Sequence, residues 1–134
     1  MGVTYEWRGR FANDELNALH AEAFETVAFD DSEWDWVDLV HRYSLGWVVA
    51  RDDEGLVGFV NVAWDGSVHA WLQDTMVRTS ARHQGVGTAL VRMAVEGVRQ
   101  AGCEWLHVDF DEDLRRFYVD ACGFAPTGAG LIKL

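Results

Sequence analysis

"ARHQGVGTAL", residues 81–90, is the stretch on which the reading of this chain turns. It sets Gly85, Gly87 and two basic side chains, Arg82 and His83, directly before the clearest helical pattern in the sequence, residues 86–101. In that pattern Leu90, Val91, Ala94, Val95 and Val98 share one face, and Arg92, Glu96 and Arg99 the other. A helix start leaves its first N–H groups unpaired and carries partial positive charge. Glycines let a bulky anion approach those groups with no Cβ in the way. The segment therefore reads as a seat for a pyrophosphate, set against the plainer reading of a loose turn. It is not a Walker loop, because no G-x-x-x-x-G-K-S/T is present. Nor is it a Rossmann fingerprint, because G-x-G-x-x-G is absent and the preceding strand does not open a parallel sheet.

Upstream of the loop, "VHAWLQDTMV" (68–77) alternates and is rich in β-branched and aromatic residues, so it predicts a strand. "WVVAR" (47–51) and "LVGFVNVAW" (56–64) predict two more, joined by a turn at "DDEG", with a second turn at "WDGS" (64–67). These three strands should form an antiparallel meander. "VTYEWR" (3–8) is a candidate first strand. Asn13 is placed to cap a helix with Leu16, Leu19, His20 and Ala23 at helical spacing. A second helix is expected within residues 29–46, ending near Gly46. Downstream, "WLHVDF" (105–110) reads as a strand, "LRRFYVDAC" (114–122) as a short helix, and the tail as an edge strand. The order implies an α/β (α+β) fold: a mixed sheet with helices on both faces.

A length of 134 residues with 49% apolar content suits a single domain, 1–134, with a core of its own. Twenty-two acidic against 11 basic residues give a net charge of −11, a field that repels nucleic acid and favours a cationic partner. No apolar run approaches a membrane span, and no secretory signal is visible, so a cytoplasmic location is expected. Cys103 and Cys122 lack metal-ligand spacing and read as buried free thiols; no metal is expected.

The loop residues Arg82-His83-Gln84-Gly85-Val86-Gly87 match the R/Q-x-x-G-x-G/A motif, and "RRFYVDACGF" (115–124) resembles a second, C-terminal signature some thirty residues on. On this pair of motifs the chain resembles the GCN5-related N-acetyltransferase (GNAT) superfamily from about residue 47 to 126. The resemblance implies a mostly antiparallel twisted sheet of about six or seven strands flanked by about four helices. It also implies acetyl-CoA as cosubstrate. Loop amides over Arg82, His83, Gln84, Gly85, Val86, Gly87 and Thr88 would hold the pyrophosphate. The backbone of Thr75, Met76 and Val77 would pair with the pantetheine arm. Tyr118 aligns with the family's general acid, although its place on the apolar face also suits a core tyrosine.

Two positions depart from the family pattern. Gln73, which cannot accept a proton, stands where relatives carry a catalytic glutamate, leaving Asp74, a water relay or His69 to serve as base. Asp111 stands where many relatives carry asparagine. The acceptor region of the family falls on residues Asp30, Asp31, Glu33 and Trp34, with Phe29, Asp35, Trp36 and Asp38 nearby. Carboxylates beside aromatic rings suit a small cationic amine, and equally suit a solvated helix start. The expected activity is acetyl transfer to an amine by direct attack in a ternary complex. A non-catalytic acetyl-CoA sensor and an interaction domain are the rivals. Seven tryptophans and the habits of the family lean towards a homodimer.

Overall fold

The computed structural model describes residues 2–134. Five strands, β1 (Thr4–Trp7), β2 (Ser44–Asp52), β3 (Gly55–Trp64), β4 (His69–Val77) and β5 (Trp105–Val108), form one sheet in that spatial order. β2 to β4 pair antiparallel, as the turn-separated strand signals predicted; β1 adds antiparallel to β2, and β5 joins β4 parallel after a helical crossover. The fold is the expected mixed α/β one, with five strands instead of six or seven. The missing strand is the tail: residues 124–134 form no strand, and Leu131 and Ile132 are 80% and 86% exposed.

Helices α1 (Asn13–Phe24) and α2 (Trp36–Tyr43) cover one face of the sheet, and α3 (Val86–Gln100) the other. The α3 face buries Val48, Val60, Val62 and Leu72 against Leu90, Val91, Ala94 and Val98. The opposite face packs Trp47, Phe59 and Met76 against Leu16, Leu19, Trp36 and Val40. Each such side chain contributes roughly 1.5–3 kcal/mol when taken from water, so two such layers hold the sheet from both sides. Trp7 is clamped between Gly46 and Gly97: a Cβ at either glycine would come within 2.1 Å or 2.7 Å of its indole.

Four expectations shift. Asn13 is the first residue of α1 and does not cap it; Ala12 occupies that place, its N–H donating to Glu15 Oε1 at 2.9 Å. The Asn13 amide instead accepts from Val37 N–H at 2.9 Å and donates to Asp35 at 2.7 Å, so it caps α2 in space. The helix expected within 29–46 is confined to Trp36–Tyr43, because residues 44–46 are drawn into β2 by pairing with β3. The last helix is a 3₁₀ turn (Glu112–Leu114) followed by a six-residue π-helical segment (Arg116–Ala121). The two thiols are free but half-buried, not buried.

Candidate active site

The site is built on an irregularity of β4. Phe59 pairs with Met76 and Asn61 with Gln73, so Asp74 and Thr75 together face the single residue Val60. This is a β-bulge, and it is made by Asp74 taking the left-handed conformation, φ +57°. The extra residue breaks the alternation of the strand. Asn61 and Phe59 share a face of β3, and Phe59 and Met76 lie in the α1–α2 layer. Asp74 accepts from Asn61 Nδ2 at 3.4 Å, so its carboxylate lies on that side. Thr75 turns the other way, to the α3 side, where Tyr118 donates to its Oγ1 at 3.2 Å. Gln73 pairs with Asn61, so it and Asp74 lie on the same side, and strict alternation fails between these two neighbours. Gln73 is exposed beside Asp74.

β4 and β5 part at the same place. Their pairing runs from His69–Trp105 to Leu72–Val108 and stops. From Gln73 to Val77 the β5-facing edge of β4 has no strand partner, which opens a cleft in the sheet. The cleft leads to the glycine loop. His83 (φ +62°) and Gly85 (φ +82°) are left-handed, and Gly85 sits as the N-cap of α3 with no side-chain cap. The first bond of the helix is Ala89 N–H to the Gly85 carbonyl, so the N–H groups of Val86, Gly87 and Thr88 have no acceptor within the helix. Gly87 has a packing reason besides: a Cβ there would stand 3.1 Å from the Phe117 ring. The loop is tied to α1, with Arg82 donating to the Ala23 carbonyl at 3.2 Å and Thr79 N–H donating to Glu22.

Tyr118 is 7% exposed and packs against Phe110, Phe117 and Phe124. Burial pushes its phenol above the usual tyrosine range, outweighing the bond to Thr75. The group thus carries its proton at neutral pH, as a proton donor must. Asp74 is raised above the usual carboxylate range by burial, with the Asn61 bond and the neighbouring His20 acting against this. Asn61 is itself held by Ser44, whose hydroxyl donates to Oδ1 at 2.5 Å.

His69 does not belong to this centre. It lies at the start of β4, its Nδ1 2.7 Å from His107 Nε2, beside the Trp71 ring. The acidic segment is partly committed to its own backbone. Asp30 accepts from Ser32 N–H and Oγ and from Glu33 N–H, while Glu33 accepts from Asp30 N–H at 3.1 Å. Asp35 caps α2 through Asp38 N–H. Asp30 and Asp31 line an open crevice with Asp14, Asn17 and Phe29, apart from Tyr118 and Thr75. Trp34 stacks on Phe29 and leans on Trp36, whose indole donates to the buried Asn17 at 2.8 Å. Sequence reasoning missed Asn61 and Ser44 beside Asp74; nothing in the chain marks which side groups a bulge gathers. Among the described residues, no group of three or more metal-binding side chains comes together, and no helix is long and apolar enough to cross a membrane.

The acetyltransferase (GNAT) family model matches residues 11–124. A probable glucosamine 6-phosphate N-acetyltransferase of Oryza sativa subsp. japonica is 37% identical over 57 residues, 42% of this chain. That match spans about a third (34%) of the rice protein's length. A transcriptional regulator from Bacillus halodurans C-125 superposes with TM-score 0.82 at 21% identity, covering 99% of both chains. AAC(6')-Iy, in complex with the bisubstrate analogue CoA-S-monomethyl-acetylneamine, superposes at 0.79 and 16% identity over 100% of this chain and 98% of its own. At such identities the superpositions establish the fold alone. With a bulged and splayed β4 leading into an uncapped glycine-rich helix start, and a family model spanning both motifs, the chain belongs to the acetyltransferase (GNAT) family.

Proposed function

We propose that the protein transfers the acetyl group of acetyl-CoA to a small cationic amine by direct attack in a ternary complex. One observation carries the reading: the unpaired edge of β4 from Gln73 to Val77 joins the Tyr118 hydroxyl to the free N–H groups at the start of α3. The pyrophosphate is held by the segment Arg82, His83, Gln84, Gly85, Val86, Gly87 and Thr88, where dipole, free amides and two basic side chains coincide. Thr75, Met76 and Val77 pair with the pantetheine arm, and a main-chain N–H there polarises the thioester carbonyl. Tyr118 protonates the leaving thiolate, and Asp74 serves the base side of the reaction.

The acceptor enters over the aromatic and acidic segment that includes Asp30, Asp31, Glu33 and Trp34. The rice relative's name specifies a phosphorylated amino sugar. The net charge of −11 and the carboxylates of this segment favour an unphosphorylated, cationic amine instead. Two half-buried free thiols suit a reducing, cytoplasmic setting. The protein acts as a homodimer. The outer edge of β5 has no strand partner, Trp105 upon it is 62% exposed, and the unpaired tail carries Leu131, Ile132 and Leu134 in the open. A tail strand added to β5 of a second copy would satisfy both.

The test is thiol release from acetyl-CoA over a panel of cationic, neutral and phosphorylated amines. Release with cationic amines supports the reading, and a preference for anionic acceptors overturns the acceptor assignment. Thermal stabilisation by acetyl-CoA without thiol release from any amine would favour the non-catalytic sensor, a reading that the exposed, non-basic Gln73 keeps in play.

A further inference from the structure

The helical layer of α1 and α2 stops short of one end of the sheet. Val62, Ala70 and Leu72 point into the α3 layer, so Ala63 and Trp71, paired across β3 and β4, point to the other side. β5 extends that side, with His107 paired to Trp71 and Trp105 to His69. α1 and α2 pack on β2, β3 and β4, which leaves His107 and Trp105 exposed and His69 and Trp71 half-buried. Both imidazoles stack on the Trp71 indole, with His107 at 4.9 Å and 17° and His69 at 6.1 Å and 28°. Rings on opposite faces of an indole stand two contact distances apart, about 7 Å. These imidazoles have centroids only 5.0 Å apart and share a hydrogen bond of 2.7 Å, so they occupy the same face. His69 precedes Trp71 by two residues, so the occupied face is turned back along β4. The other face is turned towards Gln73, where the cleft begins, two residues or roughly 6.6 Å further on. Among the described residues no further ring stacks on Trp71. The protein's own guanidinium groups over rings are Arg8 on Trp47 and Arg115 on Phe110, not on Trp71. β3, β4 and β5 contain no arginine or lysine. The Asp74 carboxylate lies on the same side as Trp71, and Asp109, the first residue past β5, is exposed.

We infer that the free face of Trp71 holds a second cationic group of the acceptor, remote from the nitrogen that is acetylated. The acceptor class is therefore a diamine or longer polyamine. The inference rests on the acetyltransferase reading and narrows the acceptor within it. An amine must be neutral to attack a thioester, so a charge seated over the indole belongs to a different group from the reacting one. Indole is the best of the aromatic side chains for a cation, and nothing positive on these strands repels one. The imidazole pair closes one face, which leaves the cation a single side to occupy, the side nearer the cleft. Thr75, where the backbone assigned to the cosubstrate begins, lies four residues beyond Trp71. The two nitrogens of the acceptor are thus separated by no more than about 13 Å.

The experiment measures kcat and KM for α,ω-diamines of increasing length and for monoamines of the same chain lengths. It uses wild type, Trp71→Leu and Trp71→Phe, the last keeping an aromatic ring in place. On the wild type, a diamine of sufficient length should have a lower KM than its monoamine. Trp71→Leu should raise the KM of the best diamine roughly five- to thirtyfold, with kcat nearly unchanged and the monoamine KM unmoved. Trp71→Phe should lose less. Equal KM values for diamines and monoamines on the wild type, or a diamine KM unchanged in Trp71→Leu, would overturn the inference. Preference for a ring-bearing monoamine over every diamine would assign the indole to stacking and overturn it too. Conversion of a dimer to a monomer in Trp71→Leu, with KM unchanged, would give the face to a second copy of the chain and likewise overturn it. Failure of the wild-type protein to acetylate any amine would instead defeat the acetyltransferase reading, and this inference with it.

Discussion

Tyr118 donates its phenolic hydrogen to Oγ1 of Thr75 across 3.2 Å, joining the π-helical segment to β4 one residue past the left-handed Asp74. π-Helical turns widen a helix locally and recur at functional sites. Here the widened turn brings Tyr118 to the mouth of the β4–β5 cleft while Phe117, one residue earlier, packs on Gly87.

Tyr118→Phe keeps the ring packing and removes the hydroxyl. Turnover should fall roughly 100-fold, within the range for a lost general acid, with acetyl-CoA affinity nearly unchanged. Stability should fall by only about 1 kcal/mol for the lost hydrogen bond. Steady-state kinetics beside calorimetric titration checks this, and unchanged turnover removes Tyr118 from the chemistry.

Asp74→Asn should raise the melting temperature at neutral pH while lowering activity. Burial raises the folded-state pKa of Asp74, so its ionisation costs stability as pH rises through that value. Below the unfolded carboxylate value of about 3.9 the aspartate is neutral in both states, and the gain from asparagine should vanish. Melting curves at neutral and acid pH decide it.

Glu15 shows the opposite sign. Its hydrogen bond to Arg51, with Nη1 3.0 Å from Oε2, holds the carboxylate below its usual range. The stability this contributes is complete above the unfolded value near 4.3 and is lost as pH falls through the depressed one. Arg51→Gln should therefore destabilise at pH 7 and make little difference in strong acid, measured by urea midpoints.

Gly46→Ala should be among the most damaging single-methyl changes. The added Cβ meets the Trp7 indole at 2.1 Å, and Gly97 blocks the ring's retreat on the far side. A loss of about 1–3 kcal/mol is expected from overpacking. Pairing it with Trp7→Leu should recover part of the loss; a lack of any recovery would show that the glycine acts by some other means.

Removing residues 125–134 should leave the fold and the five-stranded sheet intact, because none of these residues belongs to a strand or to the buried core. If the tail joins two copies, sedimentation should show the shortened chain as a monomer where the full chain is a dimer.

The chain by itself determined the elements whose signal is local. The meander followed from β-branched runs and turn residues. Helix α3 followed from its 3.6-residue stripe, and its start from Gly85 and Gly87. Together with "RRFYVDACGF" they were enough to indicate the family. Tertiary structure decided whatever depends on residues far apart in sequence. Asn13 caps α2 and not its own helix, because Val37 and Asp35 are brought beside it. Asp30 is occupied by its own turn. Asp74 faces Asn61 because a bulge inserts one residue into β4, and no periodicity announces a bulge. Propensity and spacing report what a segment prefers alone. Which polar groups meet in a buried crevice depends on pairing register, and that is fixed only when the whole sheet assembles.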